Sequence, residues 1–171
     1  MTEKRPDIGM LKDPGHLISF GFGSGFSPVA PGTIGTIVGV VIFLLIVYSS
    51  LYSFYLYLSI TGLLFFSGVY LSDRTSKALG THDHDSIVVD EIVGFLIAAA
   101  WMPWLSYEEH LDGIDIFSIF LTFVLFRFFD IVKPWPVSWI DRRCRGGLGI
   151  MLDDVAAALY VLVVVFVLAF F

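Results

Sequence analysis

The sequence predicts an all-α, multi-spanning membrane protein of about five helices, and three observations carry that expectation: composition, uncharged blocks and the sidedness of its basic residues. Of 171 residues, 57% are hydrophobic and 15% are charged. A soluble domain carries about a quarter charged residues, so most of this apolar surface is expected to face lipid. Uncharged runs cover 33–50, 54–71 and 155–171, and a run at 117–126 extends on either side toward Ile114 and Lys133. A further run, 92–104, reaches span length when its helix starts near Ser86. At ~1.5 Å per residue, about 18–20 residues cross a hydrocarbon core roughly 30 Å thick. Lipid offers backbone groups no partner, so such runs are expected to be helices, and the alternation of a strand is absent from them.

Spans at about 33–50, 54–71, 87–104, 114–133 and 150–171 put every polar segment rich in bases on one side. Lys4, Arg5, Lys12, Arg74, Lys77, Lys133, Arg142, Arg143 and Arg145 fall there, with Arg127 two turns inside. The opposite loop holds Glu108, Glu109, His110 and Asp112 and no base. Basic residues accumulate in cytoplasmic loops, so that side is expected to be cytoplasmic. The length suits a single membrane-embedded domain over 1–171 with a polar cytoplasmic N-terminus at 1–15, which does not read as a cleavable signal. The single Cys144 allows no internal disulfide. The net charge of −6 is segregated along the chain; no nucleic-acid partner and no obligate protein partner are expected.

Along the chain, 17–32 is punctuated by glycine and proline, and Pro31-Gly32-Thr33 suits a helix start. Ser49-Ser50 and Ser53 suggest a tight turn, 72–80 a short polar helix stopped by Gly80, and Asp85 or Ser86 a cap for the third span. Pro134-Trp135-Pro136 breaks the chain after the fourth span, and Gly146-Gly147-Leu148-Gly149 reads as a flexible lead into the fifth.

The charged residues gather at the cytoplasmic boundary. Asp90-Glu91 follows His82-Asp83-His84-Asp85; Arg127, Asp130 and Lys133 recur at i, i+3 and i+6; Asp141-Arg142 and Asp153-Asp154 come later. Carboxylates at a helix N-terminus gain about 0.3–1 kcal/mol from the dipole, and that alone would account for any one pair. Three carboxylate clusters at one depth, with bases between them, point instead to a functional site, because ionisable groups at membrane depth are costly unless paired or metal-bound. Crowded oxygen ligands suit Mg²⁺, and interleaved bases suit phosphate. Together they suggest chemistry on a phosphorylated lipid. His82 and His84, at i and i+2, lack the spacing that puts two ligands on one helix face. Cys144 has Ile150 where cysteine phosphatases place arginine, and the Pro-Ser-Gly-His motif of histidine-type lipid phosphatases is missing. Asp83-His84-Asp85-Ser86-Ile87 mimics an aspartyl-phosphate motif, but no buried strand precedes it.

Four stretches resemble the phosphatidylglycerophosphatase A family: 21–33 (Gly-Phe-Gly-Ser-Gly-Phe-Ser-Pro-Val-Ala-Pro-Gly-Thr), 83–94 with Ile-Val-Val-Asp-Glu-Ile-Val-Gly, 126–142 with Phe-Arg-Phe-Phe-Asp-Ile-Val-Lys-Pro-Trp-Pro and Asp-Arg, and 146–154 (Gly-Gly-Leu-Gly-Ile-Met-Leu-Asp-Asp). The resemblance implies a Mg²⁺-dependent phosphatase of the bacterial inner membrane that converts phosphatidylglycerophosphate to phosphatidylglycerol. Asp83, Asp90, Glu91, Arg127, Asp130, Lys133, Asp141, Arg142, Asp153 and Asp154 carry over as motif positions. On this reading Asp90, Glu91, Asp130, Asp153 and Asp154 hold one or two Mg²⁺ ions, while Lys133, Arg127 and Arg142 bind phosphate oxygens or orient carboxylates. Asp83 or Asp141 is the candidate general base, and Asp83, Asp130, Lys133, Asp141 and Arg142 form the expected catalytic set. A covalent aspartyl-phosphate is the competing route. Other lipid phosphatases, phosphotransferases (whose Asp-Gly-x-x-Ala-Arg motif is absent) and divalent-cation transporters are the alternative classes.

Overall fold

The computed structural model describes residues 6–49, 52–82, 84–103 and 114–170, and every regular element among them is helical. In chain order these are α1 (Pro14–Ser19), α2 (Pro31–Val47), α3 (Phe54–Leu79), α4 (Val89–Ala99), α5 (Ile116–Val132), α6 (Val137–Arg143) and α7 (Gly146–Phe170), with 3₁₀ turns at Ile8–Lys12 and Gly21–Phe26.

The helices begin and end where local chemistry dictates. Ser53 caps α3 by accepting the Leu56 N–H at 3.1 Å, and Gly80, at φ +73°, ends it. Asp115 caps α5 by accepting the Ser118 N–H at 2.7 Å. At the other end of α5, Lys133 takes a left-handed φ of +45°. Pro134 follows, and proline bars further helix.

α4 is the centre of the bundle. It packs against α2, α3, α5 and α7, and all but two of its eleven residues are buried. Gly35 and Gly39 of α2 lie against Val88, Ile92 and Phe95, so the two backbones approach closely, the small-residue contact common between membrane helices. Phe43, Tyr57, Phe95, Leu96, Phe126, Ala157, Ala158 and Val161 form the core around it. Within that core the Tyr57 hydroxyl donates to the Leu96 carbonyl. Large apolar side chains also cover the outside, among them Leu63 and Phe66 of α3, Phe117 and Phe120 of α5, and Leu159 and Val163 of α7. Apolar patches that extensive mark a surface meant for lipid or a partner rather than water.

Several expected boundaries move. The second span and the polar helix after it are one 26-residue helix, because nothing between Leu71 and Ser72 breaks the backbone ladder. The glycines at 146–149 open α7 rather than loop before it: a Cβ on Gly147 would overlap the Val69 carbonyl oxygen of α3, so they are packing residues. Neither Asp85 nor Ser86 caps the third helix, which starts after Val88 with no side-chain cap. That helix is eleven residues, about 16 Å at the α-helical rise, against the expected 87–104. A turn at Ala100 follows it, and 101–103 are helical again. Two helices, Phe54–Leu79 and Gly146–Leu168, are long and apolar enough to cross a membrane, and Pro31–Val47 is apolar but shorter.

Candidate active site

The polar ends of α2, α4, α5 and α7 meet at one end of the bundle. α4 starts there with Asp90 and Glu91, and α7 brings Asp154 two turns after its own start. One carboxylate oxygen from each of these three residues lies within 4.8 Å of the others. Asp154 is 3% exposed. Oε2 of Glu91 and Oδ2 of Asp154 are buried without a hydrogen-bond partner among the described residues. Three carboxylates brought this close in a dry site repel one another, and buried acceptors left open cost about 1–3 kcal/mol each, more when charged. A hard cation ligated by oxygen relieves both costs, so this donor set fits Mg²⁺ or a similar ion.

Around the triad runs a ring of ion pairs. Arg127 Nη1 meets Asp130 Oδ2 at 2.6 Å and Glu91 Oε1 at 3.9 Å, and it donates to Thr36 Oγ1 at 3.4 Å. Thr36 in turn donates to the Gly32 carbonyl at 2.9 Å. The i, i+3 spacing of Arg127 and Asp130 puts both on the face of α5 that looks into the bundle. Lys133 lies just beyond α5 and reaches α6 and α7 together, meeting Asp141 at 2.5 Å and Asp153 at 2.8 Å. Burial works to lower the Lys133 pKa, but the two carboxylates outweigh it and raise the value, so the ammonium stays charged.

Beside Lys133 an open cleft of about 290 Å³ is lined by His82, Asp141, Arg142, Arg145, Ile150 and Asp153, among others. His82 Nε2 accepts the Gly146 N–H at 3.1 Å. Both cations and carboxylates border this opening.

The structure thus brings Asp90, Glu91 and Asp154 into one group, and the Asp130 side chain lies against that of Asp154. Asp130 is engaged by Arg127, and Asp153 by Lys133. Arg142 and Asp141 line the cleft. Asp83 lies outside the described residues. His84 is buried and accepts the Ser86 N–H at 3.1 Å, within the turn that precedes α4. Thr36, Gly32 and Arg145 were not singled out from the sequence. An isolated threonine in an apolar run gives no signal, and Gly32 looked only like a helix start; a Cβ there would collide with Glu91 Oε1 and sit 3.2 Å from Arg127 Nη2.

A sequence model of the family described as "Phosphatidylglycerophosphatase A" matches residues 17–169. The chain belongs to the phosphatidylglycerophosphatase A family. A Haemophilus influenzae protein named phosphatidylglycerophosphatase A is 42% identical over 172 residues, covering 99% of this chain and 98% of the relative. An Escherichia coli protein of the same name is 40% identical over 149 residues, covering 86% of this chain and 78% of the relative. A Bacteroides thetaiotaomicron protein with a provisional phosphatidylinositol-3-phosphatase name is 35% identical over 146 residues, covering 84% and 86%. No solved structure matches the chain. The family match spans α2 to α7, so the triad, the Arg127 cluster and the Lys133 bridge all lie inside it.

Proposed function

We propose that this chain hydrolyses the terminal phosphate of phosphatidylglycerophosphate to phosphatidylglycerol and phosphate, with Mg²⁺ as cofactor, at the cytoplasmic face of a bacterial inner membrane. The observation that carries this reading is the buried carboxylate triad of Asp90, Glu91 and Asp154, set beside a cleft lined by cations. Family membership supports the phosphatase activity, and the relatives' names supply the lipid.

Asp90, Glu91 and Asp154 would hold the metal. When bound, Mg²⁺ would activate water and neutralise charge on the phosphate. The chain's own groups do the rest. An ammonium carries three donors, and Lys133 uses two of them on Asp141 and Asp153, leaving one for a phosphate oxygen. Arg142, exposed in the cleft, suits a second phosphate oxygen. Arg127 engages Asp130, Glu91 and Thr36 through Nη1 alone, while its buried Nε has no partner among the described residues, so its proposed part is to orient carboxylates and to bind a phosphate oxygen. Asp141, about one-third exposed in the cleft, is the described candidate for general base.

The provisional name of the Bacteroides relative favours one second reading, a phosphoinositide head group in place of glycerol phosphate. Both lipids present a phosphate monoester above two acyl chains, so triad and cleft serve either. Released phosphate from phosphatidylglycerophosphate and from phosphatidylinositol 3-phosphate, each with Mg²⁺ or with EDTA in detergent, separates them. We expect Mg²⁺-dependent release from the first; release from the second alone would transfer the assignment, and release from neither would overturn it.

A further inference from the structure

An apolar slot between α2 and α5 has no part in the chemistry above. Its walls include Ile37, Val40 and Leu44 of α2 and Ile119, Phe120 and Phe123 of α5, and it encloses about 410 Å³. It exists because α2 and α5 both pack on α4 and touch each other only sparingly, so their outer edges part. Every residue lining it is apolar. Ile37 and Phe120 are 45% and 62% exposed, so the slot is open along its side.

Both ends of the slot are defined. At one end Arg127 of α5 donates to Thr36 of α2 at 3.4 Å; Thr36 adjoins Ile37, and Phe123 is one turn from Arg127. At the other end the Tyr48 hydroxyl donates to the Ile114 carbonyl at 3.3 Å. The lining residues of α2 run from Ile37 to Leu44. At the helical rise that is about 10 Å. The slot therefore begins beside the arginine that touches Glu91 and Asp130, and it ends before the Tyr48–Ile114 contact.

We infer that this slot seats one acyl chain of the substrate lipid, anchoring it while the phosphate lies at the carboxylate cluster. The inference rests on the lipid-phosphatase reading for the identity of that lipid. It makes Ile37 and Phe120 specificity-determining residues for a chain end far from the reacting phosphate. Discrimination would come from van der Waals packing of the chain against these walls, since lipid is as apolar as the slot, and a chain long enough to fill the slot would be favoured over a short one.

Photolabelling tests this directly, using the full chain and a phosphate-monoester lipid with a diazirine at mid-chain. We expect cross-links on 37–44 and 116–123, displaced by unlabelled phosphatidylglycerophosphate and not by phosphatidylcholine. Labelling spread evenly to Leu63, Phe66, Leu159 and Val163 would overturn the idea in favour of bulk lipid contact. Cross-links joining two chains through α5 would overturn it in favour of a face between copies. Kinetics give an independent check. Ile37→Trp should cut the KM preference for long-chain over short-chain lipid about ten-fold, the order one lost apolar subsite commands, with kcat unchanged. Leu63→Trp, an equally apolar change on α3, should leave the preference intact; an equal loss in both variants would count against the slot. The outcomes also separate the two ideas: displaceable slot labelling without phosphate release would retire the phosphatase reading and keep the chain site, while release without slot labelling would do the reverse.

Discussion

Asp153 and Asp154 are adjacent in sequence but turn about 100° apart on a helix of 3.6 residues per turn. One joins Asp90 and Glu91; the other meets Lys133. Read as a pair, both looked like metal ligands, and only tertiary placement assigns them different partners. Asp130 pairs with Arg127 at i−3 and also lies against Asp154, a contact that no spacing in the sequence displays. The residue types of the site were legible because buried charge is expensive in lipid and has few structural excuses. Gly32 was not, because its role is to be absent: a methyl there has no room beside Glu91 and Arg127. Gly32→Ala should therefore lower phosphate release by about ten-fold or more while Mg²⁺ still supports the remainder, measured in a metal titration of the purified variant. Lys133→Met should remove the cation that faces Asp153, whose side chain is 9% exposed. We expect a loss of about 1–3 kcal/mol in unfolding free energy, read from denaturant melts, alongside a loss of activity.

At the scale of elements, hydropathy found α2, α3, α5 and α7 with small shifts in their ends. It drew α3 as two pieces because polarity changes at Ser72, although helix geometry is indifferent to polarity once caps and hydrogen bonds are satisfied. It lengthened α4 because a buried helix at a bundle centre is as apolar as one in lipid. Glycines carried the packing information that hydropathy missed. Gly94 sits against Phe126 and within 3.0 Å of Asp154 Cβ when a side-chain carbon is built on it, and Gly147 sits against the Val69 backbone. Backbone cannot step aside as a side chain can, so Gly147→Ala should lose about 1–3 kcal/mol and lower the thermal midpoint in detergent. A midpoint equal to wild type would mean that α3 and α7 are not held this closely.

Across the whole molecule, α2, α4, α5 and α7 deliver their polar ends to one end of the bundle, and Arg74 at the same end pairs with Asp13 at 2.6 Å. The charge asymmetry of the sequence foretold this gathering because basic and acidic residues cannot be scattered through lipid-facing helices. The opposite loop with Glu108, Glu109, His110 and Asp112, on which the cytoplasmic expectation also rests, lies outside the described residues. Cys144, the single cysteine, is partly exposed at the cleft and reports the sidedness. An impermeant maleimide should label it in inside-out membrane vesicles and spare it in intact spheroplasts, and the opposite pattern would reverse the orientation. Service of the triad in lipid-phosphate hydrolysis is tested most directly by phosphate release from phosphatidylglycerophosphate across a Mg²⁺ titration. The variants to compare with the wild-type protein are Asp90→Asn, Glu91→Gln and Asp154→Asn, each shown to be folded. We expect Mg²⁺-dependent release by the wild type and a fall of about a hundred-fold or more in every variant, the several kcal/mol that such a site supplies. Wild-type rates in the three variants would contradict the claim.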